Sequence, residues 1–192
     1  MKRALAVLFL ALAAAFGAQA TMVNSLFLDE LIDGAAIAFQ GTCTENRTQR
    51  DANGIIATYT TFAVSDVLKG AVGSSHTIKQ IGGAIPGENV QFKVYGVPTF
   101  AVGQGYVVFL AGVSASGFSS PVGLTQGRFT IAQDAGGPQV TNGRDFVELT
   151  SRMAPGAAAR APQGSGAQNG PQTRLNLQDF KALIRERVGA GP

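Results

Sequence analysis

The stretch "YTTFAVSDVLKG", Tyr59–Gly70, decides the fold class because it has the pattern of a β-strand with a defined end. It is rich in aromatic and β-branched residues, which are typical of strands. The strand runs through Phe62 and Val64, slips in register near Ser65–Asp66, and stops at Lys69–Gly70. Such a slip turns the following side chains to the other face of a sheet, so the sequence predicts an irregular strand.

Further short strand-like segments lie on both sides of this stretch. Asn53-Gly54 is a strong hairpin signal between the first two segments, and Gly82-Gly83 closes the third. Gly105–Gly112 is a nearly continuous apolar run, which favours a central strand. Regularly spaced short strands with glycine corners indicate a closed barrel or a sandwich. The segments are Ala35 to about Thr44, Ile55 to about Val67, His76–Ile81, Val90–Gly96, Gly105–Gly112, Val122–Ile131 and Gly137–Gly143.

Two helices are predicted at the ends of this strand-rich region. The first runs through "LFLDELIDGA", with Ser25 as its cap and Gly34 at its end. The second spans Leu177–Val188 with Asn176 as its cap, and its apolar residues form one stripe. We expect this stripe to dock on the chain's own barrel, because an uncovered apolar stripe on an exported monomer favours aggregation. Docking on a partner is the alternative.

Composition divides the chain into four parts. Residues 1–20 carry Lys2 and Arg3, then a short apolar run and small residues, which is the pattern of a secretory signal peptide. Residues 154–173 consist mostly of Ala, Gly, Pro, Gln and Ser, which favours a flexible linker. We therefore expect a signal peptide at 1–20, a barrel domain at 21–153, a linker at 154–173 and a C-terminal helix at 174–192.

Charge and apolar content limit the classes of partner. The formal net charge is +3, but two of the 15 basic residues lie in the predicted signal peptide, which leaves little excess over the 12 acidic residues. A basic nucleic-acid-binding surface is therefore not expected. The apolar run of the signal peptide is shorter than the ~20 residues that span a bilayer, and no second long run follows. We expect an exported protein, periplasmic or extracellular, without a membrane anchor after signal cleavage.

The residues available for catalysis are few. The chain has one histidine, His76, and one cysteine, Cys43, which excludes a metal site built on two histidines and a cysteine cluster for zinc. We expect no metal and no cofactor. Cys43 lies in an apolar strand, which favours burial, since free cysteine is among the most buried residue types. A Cys43–His76 pair acting as thiol nucleophile and base is the enzymatic alternative.

Two glycine-containing phrases are candidate binding sites. "QIGG", Gln80–Gly83, and "TQGRF", Thr125–Phe129, each place a glutamine beside a glycine at the edge of a strand. Glycine there permits a bulge, a sharp barrel corner or the close approach of another backbone. A purely structural role is the alternative to a binding rim. The candidate binding residues are Gln80, Gly82, Gly83, Gln126 and Arg128.

The order of a helix, "AAIAFQGTCTE", "YTTFAVSDVLKG", "FAVGQGYVVFL" and "GLTQGRF" resembles that of the netrin-like modules and tissue inhibitors of metalloproteinases. It is also similar to a broad group of exported bacterial proteins. The resemblance covers Ala35 to about Phe129 and implies an OB-type barrel with flanking helices. It also implies that the second barrel strand leaves the sheet at Lys69-Gly70, with Gly70 in a conformation that other residues avoid. Those inhibitors act through an N-terminal cysteine and contain disulfides, whereas this chain has only Cys43.

These patterns predict a mainly β protein, an OB-like barrel of five to seven strands with a short N-terminal helix and a C-terminal amphipathic helix. We expect an exported, non-enzymatic binding module that binds a partner protein, with a secreted protease as one candidate. A thiol-dependent hydrolase using Cys43 and His76 is one alternative. A structural component of the cell surface is the other.

Overall fold

A computed structural model describes residues 24–153 and 171–191 of the 192-residue chain. The predicted signal peptide and positions 154–170 of the predicted linker lie outside the described residues. The helices are α1 (Leu28–Gly34), α2 (Phe146–Leu149) and α3 (Leu177–Ala190), and a 3-10 turn at Leu124–Gly127 precedes the seventh strand. The strands are β1 (Ile37–Arg50), β2 (Ile56–Lys69), β3 (Ser75–Ile81), β4 (Gly83–Ala84), β5 (Gln91–Phe92), β6 (Gly105–Leu110), β7 (Arg128–Asp134), β8 (Gly137–Thr141) and β9 (Leu175–Asn176).

Seven of these strands form one antiparallel sheet in the order β3-β2-β1-β6-β7-β8-β9. β4 and β5 pair with each other in a separate two-stranded ribbon. The predicted mainly β fold with a helix at each end is confirmed for the described residues. The sheet is open, with β3 and β9 as its two edges, so the word barrel applies to it only loosely.

The irregular register predicted from Tyr59–Gly70 is confirmed. Gln40 pairs with Asp66 and Gly41 pairs with Val64, so Ser65 has no partner on β1. An extra residue of this kind is a β-bulge, which bends the strand and increases its twist. The hairpin that joins β1 to β2 therefore curves across the molecule.

The hairpin turn lies where Asn53-Gly54 predicts it, but the first strand is longer than predicted. The last pair before the turn joins Arg50 to Ile56, and β1 continues past Thr44 to that pair. This outer part of the hairpin extends beyond the apolar core, and its residues are mostly polar. The apolar pattern that defines the predicted strand ends earlier than the backbone pairing does.

The C-terminal end of β2 contacts both α1 and α3. Asp66 forms ion pairs with Lys181 at 2.5 Å and Arg185 at 2.8 Å, both on α3. Lys69 Nζ donates a hydrogen bond of 2.7 Å to the carbonyl oxygen of Ile32, in the last turn of α1. A cation at this end of a helix is favourable, because the free carbonyl groups carry partial negative charge.

Two apolar cores pack on the two faces of the sheet, and β6 contributes alternate side chains to both. The first core contains Val107 and Phe109 and is covered by the three helices. The second contains Tyr106, Val108 and Leu110 on the opposite face. The predicted docking of α3 on its own sheet is confirmed, because α3 places four side chains in the first core. They are Leu177, Phe180, Leu183 and Ile184.

The cap of α3 is the residue predicted from the sequence, whereas the cap of α1 is a different residue. The side chain of Asn176 accepts a hydrogen bond of 2.8 Å from the backbone N–H of Gln178, as predicted. The cap of α1 is Phe27 and not Ser25, because the Glu30 carboxylate accepts a hydrogen bond of 2.9 Å from the N–H of Phe27. A glutamate three residues into a helix satisfies one free N–H in this way.

The strand predicted over Val90–Gly96 is mostly wrong. Only Gln91–Phe92 is strand, paired with Gly83–Ala84. The alternating side chains do not enter a core, since Val90 and Phe92 remain 39% and 42% exposed. This segment lies over one end of the sheet instead of joining it.

Candidate ligand-binding cleft

A cleft of about 420 Å³ lies between the outer part of the β1–β2–β3 sheet and a covering segment, residues 82–100. Ligand-binding cavities of proteins typically have volumes of about 300–1,000 Å³. The floor of the cleft is polar, and we call it the polar floor. It consists of Asn46, Thr48, Thr58, Thr60 and Gln80.

The pairing of β1, β2 and β3 brings the polar floor together. Thr48 lies opposite Thr58, Asn46 lies opposite Thr60, and Thr58 lies opposite Gln80. Residues two apart on a strand share a face, so all five side chains project from the same face of the sheet. This face continues into the second core, because Phe62 and Ile78 follow at the same spacing. The cleft is therefore the open end of that core.

Two threonines of the polar floor use their hydroxyl protons in a chain of hydrogen bonds that ends on the backbone. Thr58 Oγ1 donates to the carbonyl oxygen of Gly82 at 2.7 Å. Thr58 and Thr48 are also 3.0 Å apart at their hydroxyl oxygens. Because a hydroxyl has a single proton, Thr48 is the donor in that pair. Both protons are thus used within the protein, while the oxygen atoms retain free lone pairs.

The neighbouring pair connects the floor to the covering segment. Thr60, which is 1% exposed, donates from its hydroxyl to Asn46 Oδ1 at 2.7 Å. Asn46 Nδ2 donates to the carbonyl oxygen of Phe100 at 2.6 Å. These bonds hold the end of the covering segment against β1.

Gln80 is the exception in this network. Its side chain is 3% exposed and lines the cleft, yet its Nε2 has no hydrogen-bond partner among the described residues. A buried donor left without an acceptor costs about 1–3 kcal/mol. Such unsatisfied groups are rare in folded proteins, so this one requires an explanation.

The glycine pair lets the covering segment approach the floor closely. Gly82 has φ +95° and Gly83 has φ +132°, which other residues rarely adopt. A Cβ atom on Gly83 would lie 2.4 Å from Thr58 Oγ1, and one on Gly82 would lie 2.7 Å from the carbonyl oxygen of Phe92. Both positions therefore require glycine if the cleft is to keep its shape.

The cover of the cleft is apolar and carries positive charge. Its apolar side chains include Phe92, Val97 and Phe100. Lys93, which is exposed, is the one ionisable side chain in the lining, and it forms no ion pair with another described residue. Arg128 Nη1 donates to the carbonyl oxygen of Thr99 at 2.6 Å, which places a second cation beside the cleft.

The structure brings together three of the five candidate binding residues and places a fourth nearby. Gln80, Gly82 and Gly83 line the cleft, and Arg128 lies beside it through its bond to the covering segment. Gln126 lies elsewhere, where it accepts a hydrogen bond of 2.8 Å from the N–H of Leu26. Gln126 therefore holds the segment that leads into α1.

The floor residues Asn46, Thr48, Thr58 and Thr60 are absent from the sequence-based candidates. A signal for them exists, because polar residues recur with a spacing of two on two strands joined by a hairpin. The register that pairs them is not visible in either strand alone, since it depends on the bulges of the hairpin.

Cys43 and His76 are not brought together. Cys43 on β1 and His76 on β3 both pair with Phe62, which lies between them on β2. Their backbones are therefore separated by two strand spacings, or roughly 10 Å. Burial raises the pKa of the Cys43 thiol and lowers the pKa of His76. These shifts favour the neutral thiol and the neutral imidazole over an ion pair.

Comparison with protein-family models, with curated proteins and with solved structures found no match for this chain. Within residues 24–153 and 171–191, no group of three or more His, Cys, Asp or Glu side chains is arranged to hold a metal ion. No helix in this part of the chain is long and apolar enough to cross a membrane.

Proposed function

We propose that this chain is an exported, non-catalytic binding module that recognises a partner protein through the cleft. The observation that supports the proposal is the buried Gln80 Nε2, which lines the cleft without an acceptor. Buried polar groups normally have partners, so an acceptor from a bound molecule would complete the polar floor. Among the described residues the lining contains no carboxylate, thiol or imidazole, which are the usual groups for acid–base or nucleophilic catalysis.

A secreted protease is the first partner to test, because of the resemblance to netrin-like modules and metalloproteinase inhibitors. The inhibitors' cysteine mechanism does not transfer to this chain. Its single cysteine, Cys43, is completely buried inside β1. Any inhibition would therefore use a surface such as the cleft, and not a cysteine that binds the zinc ion of the protease.

Capture of partners from exported proteins tests the proposal when the cleft is blocked in a matched variant. Ala84 is exposed and belongs to the lining of the cleft, so Ala84→Trp adds an indole at the cleft. Ala135 is exposed on the β7–β8 turn, so Ala135→Trp adds the same indole away from the cleft. We expect the natural chain and the Ala135→Trp variant to capture the same partner protein. The Ala84→Trp variant should not capture it. Equal capture by both variants would contradict the proposal.

A further inference from the structure

We propose that the cleft binds an extended peptide segment that combines an apolar side chain with a carboxylate. This inference rests on the proposed function and names the chemistry of the ligand. Three features of the cleft carry it: the hydrogen-bonding pattern of the polar floor, the apolar cover, and Lys93 at the rim, which has no ion pair with another described residue.

The polar floor matches a peptide group. Gln80 Nε2 is a donor without an acceptor among the described residues, and an oxygen atom of the ligand is the group that would satisfy it. The hydroxyl protons of Thr48, Thr58 and Thr60 are used within the protein, so these oxygens can only accept from a ligand. A peptide unit has one C=O acceptor and one N–H donor, which is the complement of this floor.

The cover of the cleft selects the rest of the ligand. Phe92, Val97 and Phe100 form an apolar wall, and Phe92 is 42% exposed in the free protein. An apolar side chain of the ligand would remove this wall from water, which is favourable. The threonine floor, in contrast, is unsuited to a simple hydrocarbon chain, because it would bury hydroxyl groups against methylenes.

The charge around the cleft selects a carboxylate. Lys93 lines the cleft 5.7 Å from the centroid of the Tyr95 ring and has no ion-pair partner among the described residues, and Arg128 donates to a backbone carbonyl oxygen at the edge of the cleft. No acidic side chain of residues 24–153 or 171–191 belongs to the lining. The carboxylate has two sources, the C-terminus of the partner chain or an acidic side chain beside the apolar residue. Both would pair with Lys93, and the two are distinguished by experiment.

Titration of short synthetic peptides into the isotope-labelled protein tests the inference, with the side-chain amide of Gln80 observed by NMR. The probes are an acetylated peptide ending in Val-Phe with a free C-terminus, its C-terminal amide, an amidated Val-Phe-Asp peptide, and decanoate. We expect the two acidic peptides to bind about tenfold or more tightly than the neutral amide and to shift the Gln80 amide signals. The tighter of the two identifies the source of the carboxylate. Stronger binding by decanoate, or equal binding by the neutral peptide, would overturn the inference.

Three variants assign the contacts. Gln80→Met removes the donor with little change in length and adds no charge, and Lys93→Gln removes the charge from an exposed position. We expect Gln80→Met to weaken every peptide and Lys93→Gln to reduce the acidic peptides to the affinity of the neutral one. Arg47→Gln removes an exposed cation that lies outside the lining, and it should change nothing. An unchanged preference for acidic peptides in Lys93→Gln would contradict the assignment.

Failure of this inference is separable from failure of the proposed function. If Ala84→Trp abolishes capture of a partner while none of the peptides binds, the binding module stands and the peptide chemistry is wrong. If capture is insensitive to Ala84→Trp, the cleft is not the recognition site and both proposals are wrong.

Discussion

Gly70 combines a left-handed backbone with close contact to another chain segment. Its φ is +72°, and a Cβ atom there would lie 2.4 Å from the carbonyl oxygen of Ala36. Gly54 has a similar φ of +75°, but a Cβ there would meet nothing within 4 Å. Substitution of either glycine would therefore force a side chain into the left-handed conformation. Only at Gly70 would the new side chain also clash with a neighbouring segment.

We expect Gly70→Ala to lower the free energy of unfolding by more than Gly54→Ala. Each loses about 1–2 kcal/mol because alanine disfavours the left-handed conformation. Gly70→Ala should lose roughly 1–3 kcal/mol more, which is the usual cost of forcing extra volume into a packed site. Urea denaturation of both variants measures the difference. Equal losses would show that the chain near Ala36 moves freely away from β2.

Asp66 on β2 forms ion pairs with two residues of α3. Burial raises the pKa of this carboxyl, but hydrogen bonds and charge attraction from Lys181 and Arg185 lower it more, so its pKa is below the ordinary value of 3.8. A group with a lowered pKa in the folded state stabilises the protein above its unfolded-state pKa. That stabilisation is lost as the pH falls through the folded-state pKa.

We therefore expect Asp66→Asn to destabilise the protein at neutral pH by roughly 1.5–3 kcal/mol, the value for hydrogen bonds to charged groups. The difference from the natural chain should shrink in acid, when Asp66 itself becomes protonated. Urea denaturation from about pH 7 to about pH 3 measures this. Asp134→Asn is the control, because its ion pair with Arg174 is exposed and worth little. A difference that stays constant with pH would contradict the ion-pair role of Asp66.

At the scale of residues, local signals predict local outcomes. The bulge at Ser65 and the complete burial of Cys43 follow from the pattern of their own strands. The partners of Asp66 do not, because Arg185 is 119 positions away along the chain. Nothing in either segment alone specifies that pairing.

The helix α3 is the element whose packing is easiest to test. Phe180 is completely buried and contacts the rings of Phe109, Phe129 and Phe146. Val188, on the same helix, is 38% exposed. Substitution at these two positions separates packing on the sheet from helix propensity.

We expect Phe180→Ala to lower the free energy of unfolding by roughly 3–5 kcal/mol and to lower the melting temperature accordingly. Val188→Ala should have a small effect, since little apolar area is lost. Thermal unfolding followed by circular dichroism gives both values. A melting temperature unchanged by Phe180→Ala would mean that α3 does not stabilise the free protein and instead serves a partner.

At the scale of elements, periodicity predicts which residues share a face but not whether another element covers that face. The strands around Phe62 and along Gly105–Leu110 are predicted well, because their apolar residues enter the two cores. Val90–Gly96 has the same alternation and still forms only a short ribbon. The segment passes close to Gly82, where a Cβ atom would lie 2.7 Å from the carbonyl oxygen of Phe92, and the alternation of Val90–Gly96 alone does not show this contact.

The whole molecule depends on one sheet that carries a core on each face. β6 lies between β1 and β7 and supplies side chains to both cores, so the two faces share a backbone. The second core, which continues into the cleft, has no direct cover from α3. Its stability should nevertheless depend on α3, because loss of the first core would leave β6 exposed on one face.

At the scale of the whole molecule, the sequence predicts the class of fold. It does not predict that the sheet stays open instead of closing into a barrel. Counting strands gives a mainly β protein, and the described residues confirm it. One of the two open edges is β9, which has only two residues, Leu175–Asn176, and leads directly into α3. A count of strands carries no information about which edges meet.

Removal of the C-terminal segment tests whether the second core depends on α3. Each of the four α3 side chains in the first core stabilises the fold by about 1.5–3 kcal/mol, so together they approach the whole free energy of unfolding of a typical domain, about 5–15 kcal/mol. We expect a chain that ends at residue 170 to lose its cooperative unfolding transition and the hydrogen-exchange protection of β6. A synthetic peptide of residues 171–192, added in excess, should restore both, because the groups that it buries are the ones that were removed. If the shortened chain alone keeps β6 protected, the second core folds without the first, and the cleft could be studied as an independent unit.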